Sequence, residues 1–108
     1  MKKGKIQKSS KEFEFLDGSV RKVTELETAF IGYGKYLPGW NWAEHVGKMT
    51  NQPAERHIGY VESGAFEIED PQGNKMTVGE GEAFEVGPNH NARVMGSEPC
   101  IALDFLTK

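Results

Sequence analysis

Three histidines are spread along the chain: His45, His57 and His90. A neutral imidazole can bind Zn, Fe, Ni or Cu, can take a proton near neutral pH, and can also satisfy an ordinary core hydrogen bond. Number does not choose among these roles, so placement must. His57 opens the run His57-Ile58-Gly59-Tyr60-Val61. Read as a strand, that run turns His57, Gly59 and Val61 to one face and Ile58 and Tyr60 to the other. If Val61 faces an interior, His57 does too, and the small Gly59 is expected to leave room for a ligand. His90 follows the turn signal Gly87-Pro88-Asn89, where a strand would re-enter the wall. His45 ends a run read as a strand over 40–46, on one face with Asn41 and Ala43 and opposite Trp40, Trp42 and Glu44. Three imidazoles on adjacent strands would sit about 2.1 Å from one ion and leave a coordination position open. The competing reading for each is a hydrogen-bonded structural residue.

Other side chains add weaker possibilities. Glu44, Glu55 and Glu62 lie near the histidines in sequence and are expected to face solvent. One of them in the ligand set would give the two-histidine, one-carboxylate arrangement of non-haem iron oxygenases. Asp104 stands in the mostly apolar Ile101-Ala102-Leu103-Asp104-Phe105 and needs a partner if buried. Arg93 or Arg56 is the expected partner, and orienting a metal-bound imidazole is the alternative. Trp40 and Trp42 are expected to pack between sheet layers or across a dimer interface rather than to form a platform for a ligand. Tyr33 and Tyr36 are candidates for a pocket mouth. Cys100, the single cysteine, follows as a buried small hydrophobe, and it has no partner for an internal disulfide. The chain has no Gly-x-Ser-x-Gly, no phosphate loop and no usefully spaced pair of carboxylates.

The elements that must position these residues are short strands. Glu12-Phe13-Glu14-Phe15 and Ala65-Phe66-Glu67-Ile68-Glu69 alternate polar and apolar residues, the signature of half-buried strands. Turn signals separate such runs at Asp17-Gly18, Pro38-Gly39, Ser63-Gly64, Asp70 to Asn74, Gly79 to Gly81 and Gly87-Pro88. Strands are predicted near 12–16, 20–24, 28–36, 40–46, 56–62, 65–69, 75–78, 83–86, 91–95 and 100–106. Residues 47–54 are predicted to form a polar loop between two of them. With 108 residues, 13 of them glycine, this pattern predicts a single all-β domain, a sandwich or closed barrel.

Charge narrows the function classes. Residues 1–11 carry Lys2, Lys3, Lys5, Lys8 and Lys11 and no acid, so eight of the 13 basic residues remain against 16 acidic ones in residues 12–108. A body this acidic argues against nucleic acid as the main partner, and the lysine-rich arm of residues 1–11 is expected to be a solvated tail or a lysine-guarded edge. No apolar stretch follows the basic start and none is long enough to cross a bilayer, so a cytoplasmic protein without membrane contact is expected.

Two glycine-punctuated segments, His57 to Gly64 and Gly81 to His90, resemble the two signature motifs of cupins, and the resemblance spans roughly residues 28–106. Pro38-Gly39-Trp40-Asn41-Trp42-Ala43-Glu44-His45 is similar to a run found in a narrower set of small single-domain cupins. The resemblance implies an antiparallel double-stranded β-helix, or jelly-roll barrel, holding one divalent metal. By position His57 takes the slot of the family's glutamate ligand and His90 that of its second-motif histidine. The family's His-x-His pair falls near Thr50 to Gln52, where this chain has no histidine, and His45 is the upstream substitute. The implied ligands are thus His45, His57 and His90, with Zn or Fe(II) favoured and Ni or Mn able to occupy similar sites. Losing the glutamate makes the site more positive. The expected function is metal-dependent chemistry on a small organic molecule; a non-catalytic module holding a small molecule or a metal is the alternative. A homodimer is expected, with Phe13, Phe15 and the tryptophans as its apolar surface.

Overall fold

The computed structural model describes residues 1–108. Its strands are β1 (Lys11–Glu14), β2 (Val20–Glu25), β3 (Ala29–Tyr36), β4 (His57–Ser63), β5 (Ala65–Glu69), β6 (Lys75–Gly79), β7 (Ala83–Val86), β8 (Asn91–Val94) and β9 (Cys100–Thr107). Each lies within a residue or two of a predicted run, because period-2 apolar patterning and Gly or Pro turns are local signals. All pairings are antiparallel. They form a six-stranded sheet, β1-β2-β3-β9-β4-β7, and a three-stranded sheet, β6-β5-β8. No helix is long and apolar enough to cross a membrane.

Val61, Phe66, Ile68, Val78, Val86, Val94 and Ala102 are buried in one apolar cluster with Cys100. Burial pushes the Cys100 thiol up to about 12, as suits a residue that packs and does not react. The expected packing of the tryptophans between layers is found: Trp40 is in that cluster and Trp42 packs against it. Phe15 is buried there too, so it offers no surface to a partner, whereas Phe13 is 45% exposed. The large apolar groups showing on the outside of the six-stranded sheet are instead Ile58, Tyr60 and Phe105. Near the N-terminus, residues Ile6–Lys8 form a 3-10 turn, and Lys11 begins the edge strand β1.

One predicted element is wrong in kind. Residues 40–46 are not a strand; Ala43–Gly47 wind as a π-turn that continues into an α-turn at Lys48–Thr50. The local cause is visible in the side chains. Asn41 Oδ1 accepts the Glu44 backbone N–H at 3.2 Å, an N-capping contact, and Lys48 pairs with Glu44 one turn away at 2.6 Å. Thr50 Oγ1 donates to the Val46 carbonyl at 3.0 Å. The alternation of Trp40, Trp42 and Glu44 is real, but capping and helix-forming Ala43, Glu44 and Lys48 outweigh it.

Gly64 turns β4 into β5 with a φ of +79°, and a Cβ there would lie 2.5 Å from the Pro99 carbonyl oxygen. Gly64→Ala is therefore expected to destabilise the fold by about 1–3 kcal/mol, read as a lower urea midpoint at unchanged m-value.

Candidate functional site

A cavity of about 350 Å³ opens between the sheets. His57 enters it from β4 and His90 from the turn that leads from β7 into β8. Alternation along β4 is as expected, with Val61 fully buried and His57, Gly59 and Val61 on the inner face. The two imidazoles meet with ring centres 5.1 Å apart and planes tilted by 54°. Each is held the same way. His57 Nδ1 lies 3.0 Å from the Glu55 carbonyl oxygen, and His90 Nδ1 lies 2.7 Å from that of Gly87. A carbonyl only accepts, so each Nδ1 carries the proton and each Nε2 keeps a free lone pair.

Local folding explains both contacts. Asn89 adopts a left-handed φ of +63°, which curls Gly87-Pro88-Asn89 back so that the His90 ring reaches the Gly87 carbonyl. The Asn89 N–H donates to the Ala54 carbonyl at 2.8 Å, tying this turn to the segment just before His57. Edge-on packing of the His57 ring against Phe84, centres 5.9 Å apart, limits its rotation further.

His45 does not join the pair. It lies on the π-turn, does not line the cavity, and its Nδ1 accepts the Asn41 backbone N–H at 2.9 Å. That bond closes the first helical turn, which is the structural role that competed with metal binding. Glu44, Glu55 and Glu62 are exposed, as expected, although Glu55 also reaches the cavity rim. No group of three or more His, Cys, Asp or Glu side chains gathers anywhere in the molecule.

Gly59 does not leave ligand space. Its missing Cβ would lie 2.5 Å from Phe84 Cζ, so the phenyl ring of its cross-strand partner occupies that room. The segment predicted as a polar loop, 47–54, contributes to the site, since Thr50, Gln52, Pro53 and Ala54 line the cavity, as does Glu55 just after it. Of the two tyrosines, Tyr36 lines it and Tyr33 does not.

The partner of Asp104 is neither Arg93 nor Arg56. Those arginines pair with Glu67 and Glu85 on the surface. Arg21, a residue that sequence reasoning passed over, reaches from β2 and donates from Nη2 to both Asp104 oxygens, at 2.9 and 3.0 Å. Burial alone would lower the Arg21 pKa, but the Asp104 carboxylate outweighs it and holds the guanidinium firmly protonated. The Tyr36 hydroxyl is pushed up from its ordinary value by burial and by Asp104, so the phenol stays neutral.

An ion about 2.1 Å from each Nε2 lies roughly 3.2 Å from each ring centre, which puts two rings on one tetrahedral ion about 5 Å apart. The 5.1 Å separation meets that condition, and in both rings it is Nδ1 that the backbone engages. His57 and His90 would therefore suit two positions of a divalent ion such as Zn or Fe(II), and no third His, Cys, Asp or Glu gathers with them.

No protein-family model matches the sequence, nor does any curated protein. Solved structures do match the fold. The polyketide cyclase RemF from Streptomyces resistomycificus aligns over 99% of this chain and 79% of its own, with a TM-score of 0.68 and 17% identity. A cupin domain from Bordetella pertussis Tohama I aligns over 83% and 93%, with a TM-score of 0.58 and 14% identity. The chain has a small cupin-like fold. KdgF from Halomonas sp. shares this cupin-like architecture at a TM-score of 0.62 and 23% identity, over 84% of this chain and 79% of its own. At these identities the likeness speaks for architecture alone.

Burial lowers the pKa of His90 from its ordinary value; the Gly87 carbonyl opposes that shift and nearby His57 adds to it. The unfolded chain then binds this proton more readily, so the contribution to stability is present above the ordinary histidine pKa and is lost as pH falls through the lowered one. In metal-free protein the His90 ring resonances are expected to titrate below 6.5, the ordinary value. His90→Asn should flatten the acid-side loss of stability measured by urea unfolding over that window.

Proposed function

We propose that this protein binds a small organic molecule inside the barrel, beside one divalent metal held by His57 and His90. The observation that carries this reading is the pairing of the two imidazoles: both line the cavity with ring centres 5.1 Å apart, and both Nδ1 atoms are tied to backbone carbonyls, which leaves each Nε2 with its lone pair. Backbone carbonyls that fix the tautomer are the usual support for a metal-binding histidine. When bound, such an ion supplies Lewis acidity to an oxygen of the ligand or to water. The chain's own residues do the rest. Aromatic side chains line the cavity around the ligand, and Phe84 holds the His57 ring in place. The resulting function is metal-dependent chemistry on that molecule.

A non-catalytic binding module is the second reading. It is favoured by the protein's supplying two imidazoles and no third His, Cys, Asp or Glu. Thr50 and Gln52, at the positions where the cupin motif carries its histidine pair, also line the cavity and are weak ligands.

Elemental analysis of protein purified without an affinity tag should find about one Zn or Fe per chain, the stoichiometry of a single catalytic-type site. His57→Ala and His90→Ala should each empty it while the circular dichroism spectrum stays that of the folded barrel. Full metal content in both variants would sink the assignment. A small molecule that co-purifies and is recovered chemically unchanged after incubation would favour the binding module.

A further inference from the structure

The inner face of β3 carries glycine at positions 32 and 34, and both absences of a side chain are filled by other side chains, from β2 and β9 over Gly32 and from β3 itself over Gly34. A Cβ on Gly32 would lie 1.9 Å from Asp104 Oδ1 and 2.4 Å from Arg21 Nη2. One on Gly34 would lie 2.2 Å from the Tyr36 ring and 2.4 Å from its hydroxyl. The ion pair and the phenol are thus seated directly on bare backbone in the cavity wall. Within the pair, only Nη2 of Arg21 is engaged. Nε and Nη1 donate to nothing, yet the Arg21 side chain is only 20% exposed and neither nitrogen is among the fully enclosed unpartnered atoms of the molecule. The Tyr36 hydroxyl is in the same condition. These donors are thus not sealed off, and Arg21, Tyr36 and Asp104 all line the cavity.

We infer that the cavity takes an aromatic or conjugated monocarboxylate, with Arg21 as its anchor. This rests on the reading of the cavity as a small-molecule site and specifies the ligand's chemistry. A guanidinium cannot shed its proton, so its free N–H groups in a largely apolar chamber call for an anionic oxygen, and a carboxylate matches them in shape. Planarity of the ligand body follows from the walls. Phe15, Tyr36, Trp40 and Phe66 form a continuous aromatic cluster with ring centres 4.4 to 6.5 Å apart, and all four line the cavity. Asp104 already offsets the Arg21 charge and Glu55 sits at the rim, so the chamber has no surplus positive charge for a dianion such as a phosphate monoester, and what it offers a monoanion is the directed free N–H groups of the guanidinium. The volume suits one small ligand of one or two rings.

The test compares 1-naphthoate with its neutral isostere 1-naphthamide by fluorescence or calorimetric titration of the as-purified protein. Wild type should prefer the naphthoate. Arg21→Met should weaken naphthoate by about tenfold or more and shift naphthamide by no more than about twofold, the size of one lost charge-assisted contact. Should Arg21→Met fail to fold because Asp104 is stranded, the double variant R21M/D104N removes that charge and carries the same expectation. Repeating the titrations in H57A/H90A separates this anchor from an ion between the imidazoles. Preference for naphthoate that persists there and vanishes with Arg21 supports the anchor. Preference that survives Arg21→Met but vanishes in H57A/H90A overturns it while leaving the metal reading intact. Binding of neither probe overturns it and counts against the small-molecule reading as well.

Discussion

Asp104 lies between two glycines. Antiparallel register pairs it with Gly32 on β3 and with Gly59 on β4, so a carboxylate near the middle of the six-stranded sheet has no side chain beside it on either neighbouring strand. Partly buried, that carboxylate needs a cation, and the gap over Gly32 is what lets Arg21 cross from β2 to reach it. The rest of the chamber depends on this arrangement. Phe84 fills the space over Gly59 and packs on His57, Tyr36 lies over Gly34, and the guanidinium, phenol and imidazoles end up around one volume. A side chain larger than hydrogen at either glycine would have to displace the pair or the phenyl ring.

The histidine pair rests on a different kind of support. His57 belongs to the six-stranded sheet, whereas His90 stands at the turn into the three-stranded one, so their separation is a property of how the two sheets close. Backbone carbonyls from Glu55 and Gly87 set the tautomers, and the Asn89 to Ala54 hydrogen bond keeps the two supporting segments together. Loop residues thus do the positioning, held by the rigid strands on either side.

Core and site also share material. Seven of the twelve residues in the buried apolar cluster, Phe15, Trp40, Val46, Phe66, Ile68, Ala92 and Ala102, also line the cavity. Substitutions that reshape the chamber therefore alter the packing that stabilises the barrel, and changes in ligand preference and in stability are coupled at those positions.

Strand positions, the inward face of His57, the buried Cys100 and the all-β class were legible in the residues themselves, because period-2 patterning and Gly or Pro turns act over a few neighbours. Local signals could also have corrected the one misread element: Asn41 followed by Glu44, and Glu44 followed by Lys48, mark a helical turn that the tryptophan alternation obscured. What only the tertiary structure decided are the relations across distant segments. Arg21 and Asp104 are 83 residues apart, and their pairing follows from the order β2-β3-β9. Likewise, His57 meets His90 while His45 closes its own turn, and Phe84 takes the space that Gly59 alone would suggest is free. Register and sheet closure bring such groups together, and both are set by the summed burial of whole strands, which no short stretch of sequence encodes by itself.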